Sequence, residues 1–320
     1  MKNSLAFRRA SALLIVTVWT CVLNLPAALA QQPVFAPPGD LASQFAVAEP
    51  YLPPATVNAT PWLDANDASE WRWRLLPEGF IYHTYWASAA EPRLATHLVH
   101  ERGRGRLLDS HIGGRVGLIR FGPKNEPEGL QLDILGGAKL RQDAESHLEV
   151  DSVDFRYDIL LTYGDGPDRY KIGYYHVSSH VADDFFRKNP DFMALNFLRD
   201  VLVVGYSYYP WPELRLYGEA GYAFNVDISQ PWEFQAGVDY GPAGPTGNRG
   251  APFFAINGHL REELDFGGNL ALQTGWAWRG DRPGDGTLRT GGYYYNGGSP
   301  QFSFFDDFAH QLGWGLWYDY

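Results

Sequence analysis

Residues 308–320 read FAHQLGWGLWYDY, and this stretch decides the fold. Phe308, Leu312, Trp314, Leu316, Tyr318 and Tyr320 fall on one parity, and Ala309, Gln311, Gly313, Gly315 and Asp319 on the other. His310 and Trp317 are the two exceptions. Apolar residues that recur with a period of two mark a strand with one apolar and one polar face. Thirteen residues are enough to cross a bilayer at a tilt, which takes roughly 9–11. An ordinary edge strand is the plainer alternative, but an exposed edge with this many apolar side chains would template aggregation. Pairing back onto the first strand of a closed barrel removes that edge.

The other end of the chain points the same way. Lys2, Arg8 and Arg9 precede an apolar run from Ala10 to Leu25, and Ala28-Leu29-Ala30 then offers a small-residue cleavage site. Residues 1–30 therefore read as a secretory signal peptide. Cys21, the single cysteine, lies within it. The mature chain is left without thiol catalysis or zinc–thiolate sites. Removing the three basic residues takes the formal charge from −11 to about −14, which argues against nucleic acid as a partner. No later run approaches the roughly 18 apolar residues of a membrane helix.

Residues 31–75 are rich in Pro and Ala and read as an extended periplasmic leader, and residues 76–320 as the barrel. Phe80–Trp86 is either a short strand or a plug-like segment. Glu91–Asp109 looks helical or looped, and its Arg102, Arg104 and Arg106 are candidates for lipid phosphates or for a solvated loop. Regular alternation begins after Ser110. Strands are expected at His111–Phe121, Gly129–Arg141, Leu148–Tyr163, Tyr170–His180, Asn196–Tyr209, Leu214–Val226, Trp232–Tyr240, Phe253–Leu264, Asn269–Arg279 and Phe308–Tyr320. Gly- and Pro-rich turns separate them. Asp133, Lys139, Arg141, Asp154, Arg156 and Asp158 share the inward parity, which signals a polar lumen. The fold class is an all-β, antiparallel, up-and-down transmembrane barrel, with a soluble β-sandwich as the alternative.

Ten strands are counted directly. Adding Phe80–Trp86 and a strand around Gly292–Asn296 gives twelve, the favoured number. Both termini then lie in the periplasm, Val181–Leu195 becomes an extracellular loop, and Gly164–Pro167 and Pro210–Pro212 become short periplasmic turns.

Chemistry is suggested by Tyr170–His180, YKIGYYHVSSH. Arg169 and Lys171 mark the odd parity as lumen, so His176 and Ser178 face outward. Polar groups there are costly at membrane depth and need a reason. Residues i and i+2 of a strand share a face and lie about 6.8 Å apart. Histidine can then take the proton as serine attacks an ester. The plainer reading is that both side chains hydrogen-bond headgroups or neighbouring strands. A His176–His180 metal site is weaker, because i and i+4 lie about 13 Å apart. Asp183 and Asp184 offer carboxylates to calcium, the only cofactor suggested, although loop acids are more often solvated.

The orienting residue is sought on the next strand. A hairpin centred on Lys188 sets Asp200 opposite His176, and one centred on Phe186 sets Asn196 there; the register is open at this level.

The closing strand resembles that of bacterial outer-membrane barrels, whose terminal aromatic is read by the assembly machinery. That resemblance implies the barrel assembly machinery and outer-membrane lipids as partners and the outer membrane as location. Gly173-Tyr174-Tyr175-His176-Val177-Ser178 resembles the G-x-x-H-x-S strand of outer-membrane phospholipase A, and lipid A deacylase also carries H-x-S. Both follow the serine with Asn, where this chain has Ser179. The resemblance implies an acyl hydrolase acting on phospholipid or lipid A, with Ser178 as nucleophile and His176 as base. The phospholipase pattern places an Asn on the following strand, which favours Asn196. From about Leu76 onward the chain is similar to a family of exported bacterial proteins known only as a domain of unknown function. Glu91-Pro92-Arg93, His176–His180 and Asn196–Asp200 carry that likeness, which implies no activity. A non-enzymatic barrel, structural or forming a small pore, is the alternative.

Overall fold

The computed structural model describes residues 70–320, apart from 125 and 283. The expected signal peptide and the leader up to residue 69 lie outside the described residues. Thirteen strands follow: β1 (Arg72–Leu75), β2 (Leu94–Glu101), β3 (Gly105–Gly122), β4 (Gly129–Asp143), β5 (Glu149–Asp165), β6 (Asp168–Val181), β7 (Phe197–Trp211), β8 (Leu214–Val226), β9 (Trp232–Tyr240), β10 (Ala251–Arg261), β11 (Gly268–Arg279), β12 (Thr287–Gly298) and β13 (Phe308–Asp319). Each of β2–β13 pairs antiparallel with its sequence neighbours, and β13 pairs with β2, so twelve strands close into an up-and-down barrel.

β1 is the extra strand. It pairs with residues 119–122 of β3, on the same edge that β2 occupies at residues 105–112. The first barrel strand is in effect interrupted, and within the intervening segment residues 80–93 are turned into the lumen. Residues 72–75, read from the sequence as the end of the leader, pair with β3 as part of the sheet.

Two further expectations are resolved. Phe80–Trp86 takes the plug-like alternative and is not a strand; Ile81, Tyr82 and Tyr85 are buried inside the barrel. The first barrel strand is Leu94–Glu101, within the stretch expected to be helical or looped. Its alternation is disguised because His97 and Glu101 share the inward face with Ala95 and Val99. The strand around Gly292–Asn296 is present as β12 and is longer than expected.

Burial follows the two parities. In β13, Leu312 and Trp314 are 67% and 61% exposed on the outer face, while Trp317 is fully buried. The odd-parity Trp317 is a lumen residue, and its indole donates to His97 Nε2 at 2.7 Å. Ile112, Phe155, Ile172, Leu202 and Phe224 continue the apolar outer surface around the wall.

Side chains fill the lumen. The charged inward residues are buried and paired: Arg141 with Asp109 (2.7 Å) and Glu101 (3.3 Å), Arg115 with Asp133 (2.6 Å), Lys139 with Asp154 (3.1 Å), and Arg156 with Asp158 (2.6 Å). Removed from water, such charges are tolerable only when opposed. The inserted segment ties into this network. Lys171 meets Glu91 (3.1 Å) and Glu219, and Arg215 donates to the His83 and Thr84 carbonyls and to Asp239. Gly205 leaves room for this plug, since a Cβ there would collide with the Lys171 stem and the Tyr82 hydroxyl.

A second insertion closes the opposite end. The β12–β13 connection carries a short 3-10 turn, Phe302–Phe304, whose three residues are buried. Phe302 stacks on Phe197 with centroids 4.8 Å apart, and Ser303 meets Ser179 at 2.6 Å.

Candidate active site

Strand β6 divides as the charges of Arg169 and Lys171 imply. Lys171, Tyr175, Val177 and Ser179 are buried inward, and Ile172, 57% exposed, faces out with His176 and Ser178. The β6–β7 ladder pairs His176 with Asp200 and Ser178 with Leu198, so the hairpin is centred on Lys188. Asn196 lies just before β7 and donates to Asp227 Oδ2 at 2.8 Å instead of reaching His176.

The long hairpin connection is anchored at several points. A helix of six residues, α1 (Asp183–Lys188), carries acids in its first turn and bases in its last, which complements the helix dipole. Lys188 Nζ meets Asp143 at 3.1 Å, Glu149 at 3.3 Å and Asp151 at 3.6 Å. Burial alone would lower the Lys188 ammonium, but the Asp143 hydrogen bond and the neighbouring carboxylates hold it above the ordinary lysine range. Phe185 and Phe192 pack on Phe304, joining this loop to the cap over the lumen.

Asp200 is the centre of the outer-face cluster. Its Oδ1 lies 2.7 Å from His176 Nδ1 and accepts from the Tyr174 hydroxyl at 2.6 Å, while Oδ2 accepts from Asn225 Nδ2 at 2.6 Å. The Tyr157 hydroxyl lies 3.2 Å from that of Tyr174, and the Tyr157 ring stacks on the imidazole at 5.2 Å. Because Tyr174 gives its proton to Asp200, the Tyr157 hydroxyl is the donor to Tyr174. A carboxylate held by three donors orients the ring with Nδ1 toward it and leaves Nε2 available. Ser178 is two residues along the same face. Among the described residues no hydrogen bond joins its hydroxyl to His176. Its cross-strand neighbours are Phe155 and Leu198.

Ser179 points inward, where its hydroxyl bonds Asp154 and Ser303. His180 faces outward near Phe155 (6.1 Å between rings). Among the described residues no three His, Cys, Asp or Glu side chains are grouped to hold a metal. Asp184 is engaged by the Val150 amide at 3.2 Å and by Arg187. Arg104 pairs with Asp151 at 2.8 Å and Arg106 with Glu145 at 3.4 Å.

The sequence reading missed Tyr157, Tyr174 and Asn225. Tyr174 was visible as the i−2 neighbour of His176 on the same parity. Asn225 becomes a neighbour only through the β7–β8 ladder, where it opposes Asp200.

Among solved structures the chain is similar to outer membrane phospholipase A from Escherichia coli, at 12% identity and a TM-score of 0.47, over 71% of this chain and 90% of that one. It is also similar to a mutant porin from Rh. blastica, at 9% identity and a TM-score of 0.29, over 71% of this chain and 97% of that one. No curated protein matches the sequence. The model of the DUF1207 family, proteins of unknown function, matches residues 74–320, and the chain belongs to that family.

Proposed function

We propose that this protein is an outer-membrane barrel that hydrolyses an acyl ester of a membrane lipid, phospholipid or lipid A, with Ser178 as nucleophile, His176 as general base and Asp200 as orienter. The hydrogen bond of 2.7 Å between His176 and Asp200 on the outer face carries the reading. A polar group on that face is costly where lipid surrounds it, and a carboxylate fixed by three donors is more than a headgroup contact requires.

The membrane reading rests on the apolar belt. Ile112, Ile172, Leu202, Phe224, Leu312 and Trp314 are exposed on five strands of a closed sheet. A soluble protein rarely presents so continuous an apolar surface. The signal-like stretch of residues 1–30 and the aromatic outer face of β13 fit export and delivery to the assembly machinery. With both barrel termini on the periplasmic side, β6 ascends, and His176 and Ser178 lie in the half nearest the cell exterior.

The chemistry follows from the placement. The Ser178 Oγ–H gives its proton to His176 Nε2 as Oγ bonds to the ester carbonyl carbon. The imidazolium, stabilised by Asp200, then protonates the departing alcohol oxygen. Water, deprotonated by the same nitrogen, attacks the acyl-serine, releases the fatty acid and restores the serine. Phe155 and Leu198, the flanking partners of Ser178, offer apolar surface for the acyl chain.

The pore alternative is disfavoured by the lumen, which is occupied by the segment around Tyr82 and Tyr85 and capped by Phe302–Phe304. The deciding experiment is fluorophosphonate labelling of the purified barrel, with acyl release measured from mixed lipid–detergent micelles. The native chain should label and release fatty acid, and Ser178→Ala should do neither while keeping heat-modifiable mobility. Full activity in Ser178→Ala would refute the assignment.

A further inference from the structure

The turn-rich mouth of the barrel, at the end where β1 enters, holds a cavity of about 460 Å³ that the proposed hydrolase does not use. Its volume lies in the usual range for small-molecule sites, about 300–1,000 Å³. Ile81, His83 and Trp86 of the inserted segment line it, so it faces the plug. The connections that follow β3, β5, β7 and β9 each contribute a proline: Pro127, Pro167, Pro212 and Pro242. Proline has no amide donor and a fixed φ, so these turns give a stiff, largely apolar rim. Trp86 and Trp211 add aromatic surface.

Two cations on this wall are not neutralised as the deeper ones are. Arg215 is opposed by Asp239, and Arg289, further in, by Asp319. Arg169 is 9% exposed and donates to the backbone carbonyls of Gly166 (2.6 Å) and Asp168 (2.8 Å); Glu128, Asp168 and Asp165 lie within electrostatic reach, but among the described residues none forms an ion pair with it. Among the described residues Arg279 has no carboxylate within ion-pair distance. Tyr209 is near both: the Arg169 guanidinium is 5.8 Å from its ring centroid, and Arg279 is within electrostatic reach of its hydroxyl. Glu213 and Asp285 also line the cavity. Glu213 is exposed, and Asp285 accepts from the Arg282 amide at 2.9 Å.

A largely buried guanidinium without a carboxylate in direct contact is expensive unless an anion completes it. We propose that this vestibule is a binding site for a small anionic amphiphile, with its carboxylate or phosphate held by Arg169 and Arg279 and its apolar body against Trp86, Trp211 and the proline rim. Guanidinium favours both anions through paired N–H donors. The site is separate from Ser178, and it holds whether or not the outer face is catalytic.

Isothermal titration of the full chain in neutral detergent tests this, with hexyl phosphate and hexanoate as probes and inorganic phosphate and hexanol as controls. At least one amphiphile should bind saturably at one per chain, which also tells phosphate from carboxylate preference. Both controls should bind at least tenfold more weakly. Arg279→Gln and Arg169→Gln should each weaken binding at least tenfold, and Trp211→Ala, on the exposed rim, should weaken it severalfold. Ser178→Ala should bind as the native chain does. No saturable binding of either amphiphile, equal binding of inorganic phosphate, or unchanged affinity in Arg279→Gln would overturn the proposal. Arg279 is only half-buried, so its variant remains a test even if Arg169→Gln does not fold.

Discussion

Asp200 stands directly across the β6–β7 ladder from His176, with its Oδ1 2.7 Å from the imidazole Nδ1, on the outer face of the barrel. Replacing this carboxylate by an amide keeps the shape but favours the wrong histidine tautomer. In a serine hydrolase that change lowers turnover by on the order of 10⁴-fold. Asp200→Asn should therefore lose acyl release on that scale while retaining heat-modifiable mobility. Unchanged turnover would remove Asp200 from the mechanism.

Asn225 and Asn196 should separate cleanly. Asn225 donates to Asp200 at 2.6 Å, whereas Asn196 donates to Asp227 at 2.8 Å. Losing a hydrogen bond to a charged group is worth roughly 1.5–3 kcal/mol. Asn225→Ala should slow acyl release by about tenfold or more, and Asn196→Ala should leave it unchanged. The reverse pattern in micelle assays would favour Asn196 as orienter.

The plug should respond to its buried cation. Lys171 is opposed by Glu91 and Glu219, and its loss leaves two carboxylates facing each other inside the wall. Removing one partner from a buried ion pair costs about 3–5 kcal/mol. Lys171→Met should lower the denaturant midpoint of the detergent-solubilised barrel markedly. Arg106→Met, which breaks an exposed pair with Glu145, should change stability by about 1 kcal/mol or less.

The occupied lumen predicts little conductance. Phe302 stacks on Phe197 at 4.8 Å, and Tyr85 stacks on Tyr217 at 3.9 Å deeper in the barrel. Planar-bilayer recordings of the native chain should show no large, steady channel; large stable steps would restore the pore reading. Phe302→Ala should cost about 3–5 kcal/mol of stability, as for other buried aromatics.

Orientation and the loop clamp are tested together. Protease added to intact cells should cut within residues 182–196, and cleavage only after the outer membrane is breached would reverse the orientation. Lys188→Met removes the contacts to Asp143, Glu149 and Asp151, so cutting should be faster. The Lys188 pKa is raised in the folded chain, so its stabilisation is fully present below the ordinary lysine value, near 10.4. It is lost as pH rises through the raised value. The difference in cutting rate between native and variant should persist from about pH 7 to 9 and close in strongly alkaline buffer.

Alternation with a period of two was legible in the residues alone, and with it which side chains of β13, β4, β5 and β6 face out. It also determined that His176 and Ser178 share the outer face, because a side chain's face follows from parity alone. Leu94–Glu101 escaped notice because the inward charges that identify a polar lumen also blur its alternation. Register was beyond reach: a shift of the hairpin centre from Phe186 to Lys188 exchanges Asn196 for Asp200, and both preserve parity. The clamp of Lys188 on three carboxylates from other strands, and the packing of Phe185 and Phe192 on Phe304, help to hold that loop in place. Folding across strands brought Asn225 to Asp200 and turned residues 80–93 into the lumen. Those contacts join residues distant in sequence, and no local propensity encodes them.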